Sequence, residues 1–161
     1  MKNISKILAK YSCIFIICGL IYICIELFYR QYTTPEMFFL AGICGVLWLA
    51  PFNNHTTYET DFLFQSITCG TLCTFAEWLC GVFFNMDYHI WNYCNLPFST
   101  PDGQINLFFW MLWCVISAIA IPILDWIEYQ YFDYMPETPP YYKICGRKVY
   151  QMKPKKGKKH D

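Results

Sequence analysis

Every lysine and arginine of this 161-residue chain stands near an end: Lys2, Lys6 and Lys10, then Arg30, then eight more from Lys143 to Lys159. None lies between Gln31 and Tyr142. A water-soluble domain has no reason to keep so long a block free of cations. A chain that crosses a bilayer several times does, because a cation at membrane depth is costly and cations collect on one side. Composition agrees, with 56% apolar, 20% aromatic and 15% charged residues,. The zero net charge conceals two basic ends and an acidic middle, so it gives no argument for a nucleic-acid partner.

Four apolar segments follow. The run Tyr11–Leu27 comes after Lys2, Lys6 and Lys10; it exceeds a signal-peptide core and no A-x-A site follows, so it reads as an uncleaved first span. Glu26 and Arg30, one turn apart, form a pair that holds itself at the interface. Thr34-Pro35-Glu36 is a helix start, with a capping hydroxyl, a proline in the first turn and an acid facing the positive dipole end. Met37–Phe52 follows as the second span, in which Ala41 and Gly45 form a small-xxx-small pair for close helix approach, and Pro51-Phe52-Asn53-Asn54 ends it. Phe62–Phe84 is the third span. Its Ser66, Gly70, Cys73, Thr74, Glu77 and Gly81 recur at steps of three and four and so share one face, which must point into a bundle. Ile105–Ile127 is the fourth span, kinked by Pro122 near its inner end. Asp125 to Tyr134 then extend the helix as an acidic, aromatic surface strip, broken by Met135-Pro136.

The expected architecture is therefore all-α: an integral membrane bundle of about four transmembrane helices over residues 1–134, with a basic cytoplasmic tail over 135–161. Three cations before the first span and eight after the fourth place both termini in the cytoplasm. The tail, ending K-P-K-K-G-K-K-H-D, suits attraction to anionic lipid or a solvated positive-inside anchor.

Eight of the ten cysteines lie inside the apolar runs, where they act as small hydrophobes,. Only Cys94 and Cys145 lie outside, on opposite sides of the membrane in this topology. No C-x-x-C occurs, and His55, His89 and His160 have no metal-site spacing, so no metal or cofactor is expected. There is no G-x-x-x-x-G-K-[ST], G-x-S-x-G or H-E-x-x-H. The chain does not read as an enzyme.

The candidate site sits around the one carboxylate deep in a span. Glu77 in the third segment costs roughly 2.5–3.5 kcal/mol on insertion scales and must face protein or a wet cavity. After it comes a 19-residue loop, Asn85 to Gly103, too apolar to stay in water. That loop is expected to be ordered at the outer surface, with Trp91 and Tyr93 as interface anchors. Trp78, Asn85, Asn92 and Gln104 complete a polar site in the outer half of the bundle. Its Glu77 either carries a proton or a cationic substrate, or ties the third helix to the loop.

Across this same stretch the pattern E-W-x-x-G (Glu77 to Gly81) followed by W-N-Y-x-N-L-P-F-x-x-x-x-G-Q-I (Trp91 to Ile105) resembles the signature of the bacterial type IV ABC-transporter permeases. Asn92 stands where that family has Asp, Cys94 where it has Ser and Ser99 where it has Asn. The resemblance implies a permease subunit of the bacterial plasma membrane that forms part of a translocation path. Having no ATP-binding motif, the chain would depend on a separate ATP-binding subunit. Four spans enclose little room, which points to a homo- or hetero-oligomer. The alternative is a small accessory or scaffold membrane protein that moves nothing itself.

Overall fold

The structure, a computed structural model, describes residues 2–56, 58–132 and 139–154; the side chains of Lys2, Asn3 and Arg30 lie outside the described set. So do the Met135-Pro136 break and the basic run from Lys155 onward, together with any pairing of Arg30 with Glu26.

Among the described residues four helical segments are long and apolar enough to cross a membrane: Ile4–Tyr29, Pro35–His55, Phe62–Phe84 and Leu107–Phe132. This is a multi-pass membrane architecture. Helix α1 (Lys2–Arg30) takes in all three N-terminal lysines rather than starting after them. Gln31, at φ 62°, turns the chain out of it and donates its N–H to the Leu27 carbonyl at 3.0 Å, a left-handed helix end.

The second segment is built from three pieces, α2 (Pro35–Cys44), a π-helical stretch Gly45–Leu49 and α3 (Ala50–His55). It runs through Pro51 instead of stopping there. A proline inside an α-helix lacks the N–H that would reach back four residues, and its ring crowds the carbonyl there. The wider π-helical turn immediately before Pro51 changes that ladder, and the chain stays helical to His55. Thr34 holds the N-cap position in an extended conformation, but its side chain makes no capping bond; Pro35 in the first turn spares that need.

Helix α4 (Phe62–Phe84) starts where Asp61 caps it, accepting from the N–H groups of Leu63 and Phe64. Helix α5 (Leu107–Ile127) is capped by Asn106, which accepts from the Phe108 N–H, and carries Pro122 inside it. A π-helical stretch Glu128–Phe132 continues it.

Helix approach depends on missing side chains, as expected where lipid supplies no hydrophobic drive between helices. A Cβ on Gly70 would lie 2.6 Å from the Cys114 backbone, and one on Gly45 2.5 Å from Cys18 Sγ. The first brings α4 against α5, the second α1 against the second segment.

The all-helical expectation is corrected in one place. Part of the tail forms an antiparallel hairpin, β1 (Tyr141–Ile144) and β2 (Arg147–Gln151), turning at Cys145 and Gly146, both at positive φ. One face of it has a place to be buried: Tyr142, with Met152 just beyond β2, joins Leu49, Ala50, Ile121 and Leu124 in one apolar cluster. Polar contacts hold it to the connection before α4. Lys143 pairs with Glu59, Tyr141 Oη donates to Glu59 Oε1 at 2.5 Å, and the Cys145 N–H donates to Asp61 Oδ2 at 2.5 Å.

Candidate functional site

The face of α4 predicted from spacing is the buried one: Ser66, Gly70, Cys73, Thr74, Glu77 and Gly81 all point inward. Glu77 is 1% exposed. Tyr93 Oη, from the loop, donates to its Oε1 at 3.0 Å, and Trp113 Nε1, from α5, donates to its Oε2 at 2.9 Å. Both rings are held from behind, Trp113 stacked on Tyr22 at 5.1 Å and Tyr93 on Phe109 at 4.4 Å between centroids. A carboxyl group with a donor on each oxygen is far less costly at depth than a bare one. This arrangement ties α4, the loop and α5 together. Trp113 was absent from the predicted site. Its one sequence signal is that a buried tryptophan brings a ring N–H that needs an acceptor.

A second knot closes the loop. Asn85 is fully buried and uses both ends of its amide. Its Nδ2 donates to the Trp91 carbonyl at 2.7 Å and to Gln104 Oε1 at 3.2 Å. Its Oδ1 accepts from the Ile90 N–H at 2.8 Å. Gln104 Nε2 returns a bond to the Asn85 carbonyl at 3.1 Å, and Trp91 Nε1 donates to the Gln104 carbonyl at 3.1 Å. Gly81 permits this, because a Cβ there would lie 2.4 Å from Gln104 Oε1.

The loop is thus ordered, but Trp91 and Tyr93 are not interface anchors: they are 4% and 6% exposed, drawn inward by their polar partners on Gln104 and Glu77. Two other predicted residues stand apart from Glu77. Trp78 is partly exposed and its ring N–H donates to Asp102 Oδ2 at 3.3 Å. Asn92 is exposed, with Oδ1 accepting from the Cys94 N–H at 2.9 Å in a local turn. Asp102 lies below the usual carboxylate range, chiefly through the Thr100 hydroxyl bonded to it.

What three of these residues share is a cleft of about 380 Å³, lined by Trp91, Asn92 and Tyr93 from the loop, with Glu26 of α1, Met37 of α2 and Phe109 of α5 on its other walls. Glu26, expected at the surface, is 6% exposed and accepts a hydrogen bond from the Thr33 hydroxyl. Deeper in the bundle, a void of about 20 Å³ lies among Cys18, Cys44, Cys73, Trp113 and Ser117, room for about one water.

Of the acidic, aromatic strip expected on the surface after the fourth span, the described acids are buried, whereas Trp126 and Tyr131 are exposed; Asp133 and Tyr134 lie outside the described residues. Asp125 is 0% and Glu128 1% exposed. Asp125 accepts from Asn53 Nδ2 and from the Tyr142 hydroxyl at 2.5 Å. Burial, with Asp125 beside it, pushes the Tyr142 phenol far up, so it remains a donor. Glu128 pairs with Lys10 at 2.9 Å, and Lys10 is itself buried. Sequence periodicity alone does not show this cluster, because the partners of the two acids come from three other segments.

Comparison with known proteins returns no match: no family model, no curated protein and no solved structure.

Proposed function

We propose that the chain is a permease subunit of the type IV ABC-transporter kind, sitting in a bacterial plasma membrane with both termini cytoplasmic and contributing one wall of a translocation path. The observation that supports this reading is the cleft of about 380 Å³ between α1 and the loop, placed beside the block Glu77 to Ile105 on which the family resemblance rests. A pocket of this size suits a small ligand. The void of about 20 Å³ farther in passes nothing larger than water, so the path is completed by further copies or other subunits. Energy from ATP comes through a separate ATP-binding subunit, and the basic tail leans on anionic lipid.

A second reading, a scaffold or accessory membrane protein, draws on Glu77, both of whose oxygens are committed to Tyr93 and Trp113. A carboxyl group so engaged holds helices together as it stands. Purification of the tagged chain from its native membranes decides between the two. The permease reading expects an ATP-binding subunit to copurify and reconstituted vesicles to show ATP-dependent flux. Copurification of other membrane proteins with no ATPase and no flux would favour the scaffold.

A further inference from the structure

At the centre of the bundle the four spans meet around thiols. The void of about 20 Å³ is lined by Cys18 of α1, Cys44 of α2, Cys73 of α4 and Ser117 of α5, all of them buried. Cys73 meets both the Cys44 thiol and the Ser117 hydroxyl, side chain to side chain, and none of the ten cysteines is in a disulfide. Spacing along the chain cannot show this pair, because its members come from different helices. Met37 lies in the same apolar cluster as Cys44 and Cys73 and also lines the cleft of about 380 Å³, so a thioether borders both.

The number of ligands decides the kind of ion. Among the described residues no group of three or more His, Cys, Asp or Glu side chains could hold a metal. A pair of thiols does not serve zinc, which takes four ligands in structural sites and three in catalytic ones, nor calcium or magnesium, which take oxygens. Thiols select soft ions such as Cu(I), and closed-shell monovalent ions of that kind are satisfied by two sulfur ligands in line. A void with room for about one water admits one bare ion of that size.

We propose that Cys44 and Cys73 bind one soft monovalent metal ion, Cu(I) or Ag(I), between their sulfurs. The ion bonds to both Sγ atoms and one thiol proton leaves to water, so one thiolate and one thiol flank a single positive charge. The filled site is uncharged, which suits its depth in the membrane, and no electron is transferred. Binding at equilibrium needs neither an ATPase nor flux, so the proposal stands apart from the permease reading.

The test is equilibrium binding of Cu(I), kept reduced by ascorbate in the absence of oxygen, to the full chain in phosphatidylcholine nanodiscs, with bicinchoninate as the competing chromogenic chelator. The double variant Cys94→Ser/Cys145→Ser, which removes the two exposed thiols outside the spans, is the background. It should bind one Cu(I) per chain, take Ag(I) in its place and bind no Zn(II). Cys44→Ser and Cys73→Ser should each lose that binding, whereas Cys24→Ser, at an exposed position of α1, should keep it. No binding by the background, equal binding of Zn(II), retention in Cys44→Ser or Cys73→Ser, or loss in Cys24→Ser would each overturn the proposal. If a serine variant does not fold, X-ray absorption by the copper-loaded background decides instead: two sulfur ligands support the site, and nitrogen or oxygen ligands, or three sulfurs, overturn it.

Discussion

Asn85 and Gln104 are joined by two bonds running in opposite directions, Asn85 Nδ2 to Gln104 Oε1 at 3.2 Å and Gln104 Nε2 to the Asn85 carbonyl at 3.1 Å. They fasten the first residue of the loop to the residue just after it. The loop is thereby closed at its base by two amide side chains, neither of which titrates, and its shape is independent of pH at that point.

Asn85→Ala should therefore open the loop without unfolding the bundle. It takes the side-chain partner from the Ile90 N–H, the Trp91 carbonyl and Gln104 Oε1, at about 1–3 kcal/mol for each buried group, while the bond from Gln104 Nε2 to the residue-85 carbonyl remains. Hydrogen exchange should show faster exchange at Ile90 and Trp91 and unchanged protection in α4 and α5. Gly81→Ala should produce the same pattern, since its Cβ would stand where Gln104 Oε1 does. Unchanged protection in both variants would mean the loop is held by its apolar contacts alone.

Glu77→Gln and Glu77→Leu should separate sharply. The amide oxygen of Gln can take the Trp113 N–H while its NH2 donates to the Tyr93 hydroxyl, which accepts as readily as it donates; the stability of Glu77→Gln should fall by no more than about 1 kcal/mol. Leu removes the acceptor from both the Trp113 N–H and the Tyr93 hydroxyl, at about 1–3 kcal/mol for a buried group so deprived. Adding Tyr93→Phe to Glu77→Gln removes the acceptor for the new NH2, so the double variant should be less stable than Tyr93→Phe alone. Thermal unfolding in detergent measures all four. Equal stability of the Gln and Leu variants would show that neither bond matters.

The four spans were legible because their signal is local: apolar length, the Thr34-Pro35 start of the second and, in α4, small and polar residues at helical spacing. Phe62–Phe84 is found with the boundaries read from sequence. The inward turn of Trp91 and Tyr93 was not legible, since aromatic residues at the end of a span look the same whether they face lipid or a buried acceptor. Asp125 and Glu128 were misread for a related reason. An acid following a span resembles a solvated helix end, and only the fold brings Asn53, Tyr142 and Lys10 to it. The hairpin's sequence is short, charged and aromatic, and its docking depends on the pocket left between the second segment and α5. The cleft wall at Glu26 needed the loop to be placed before it existed.

Docking of the hairpin should depend on pH. Hydrogen bonds from Lys143 and Tyr141 hold the Glu59 carboxyl below its ordinary value, while the bond to Glu59 raises Lys143. A lowered carboxylate contributes stability that is present above its unfolded value and lost as pH falls through its folded one; a raised lysine contributes stability present below its unfolded value and lost as pH rises through its folded one. The contact is therefore intact across neutral pH and is lost on the acid side below the usual glutamate range. Glu59 is exposed and Lys143 half-buried, so salt should weaken it as well. Protection of the β1 and β2 amides, taken relative to the intrinsic exchange rate at each pH, should fall in acid and in high salt, and Glu59→Gln should abolish that acid dependence. An acid dependence that survives Glu59→Gln would assign it to another group.

Orientation is tested by the two thiols outside the spans. Cys94 and Cys145 are both exposed, Cys94 in the loop at one end of the bundle and Cys145 in the hairpin turn at the other. The cysteines within the spans lie in the apolar segments, out of reach of a reagent that stays in water. With three basic residues in the first turns of α1 and eight after the fourth span, the end bearing Cys145 is expected inside. A membrane-impermeant maleimide should label intact cells through Cys94, and Cys94→Ser should abolish that labelling. Cys145 should react only once the cells are permeabilised. Labelling of Cys145 from outside, with Cys94 protected until permeabilisation, would invert the protein and place the loop and its cleft on the cytoplasmic face.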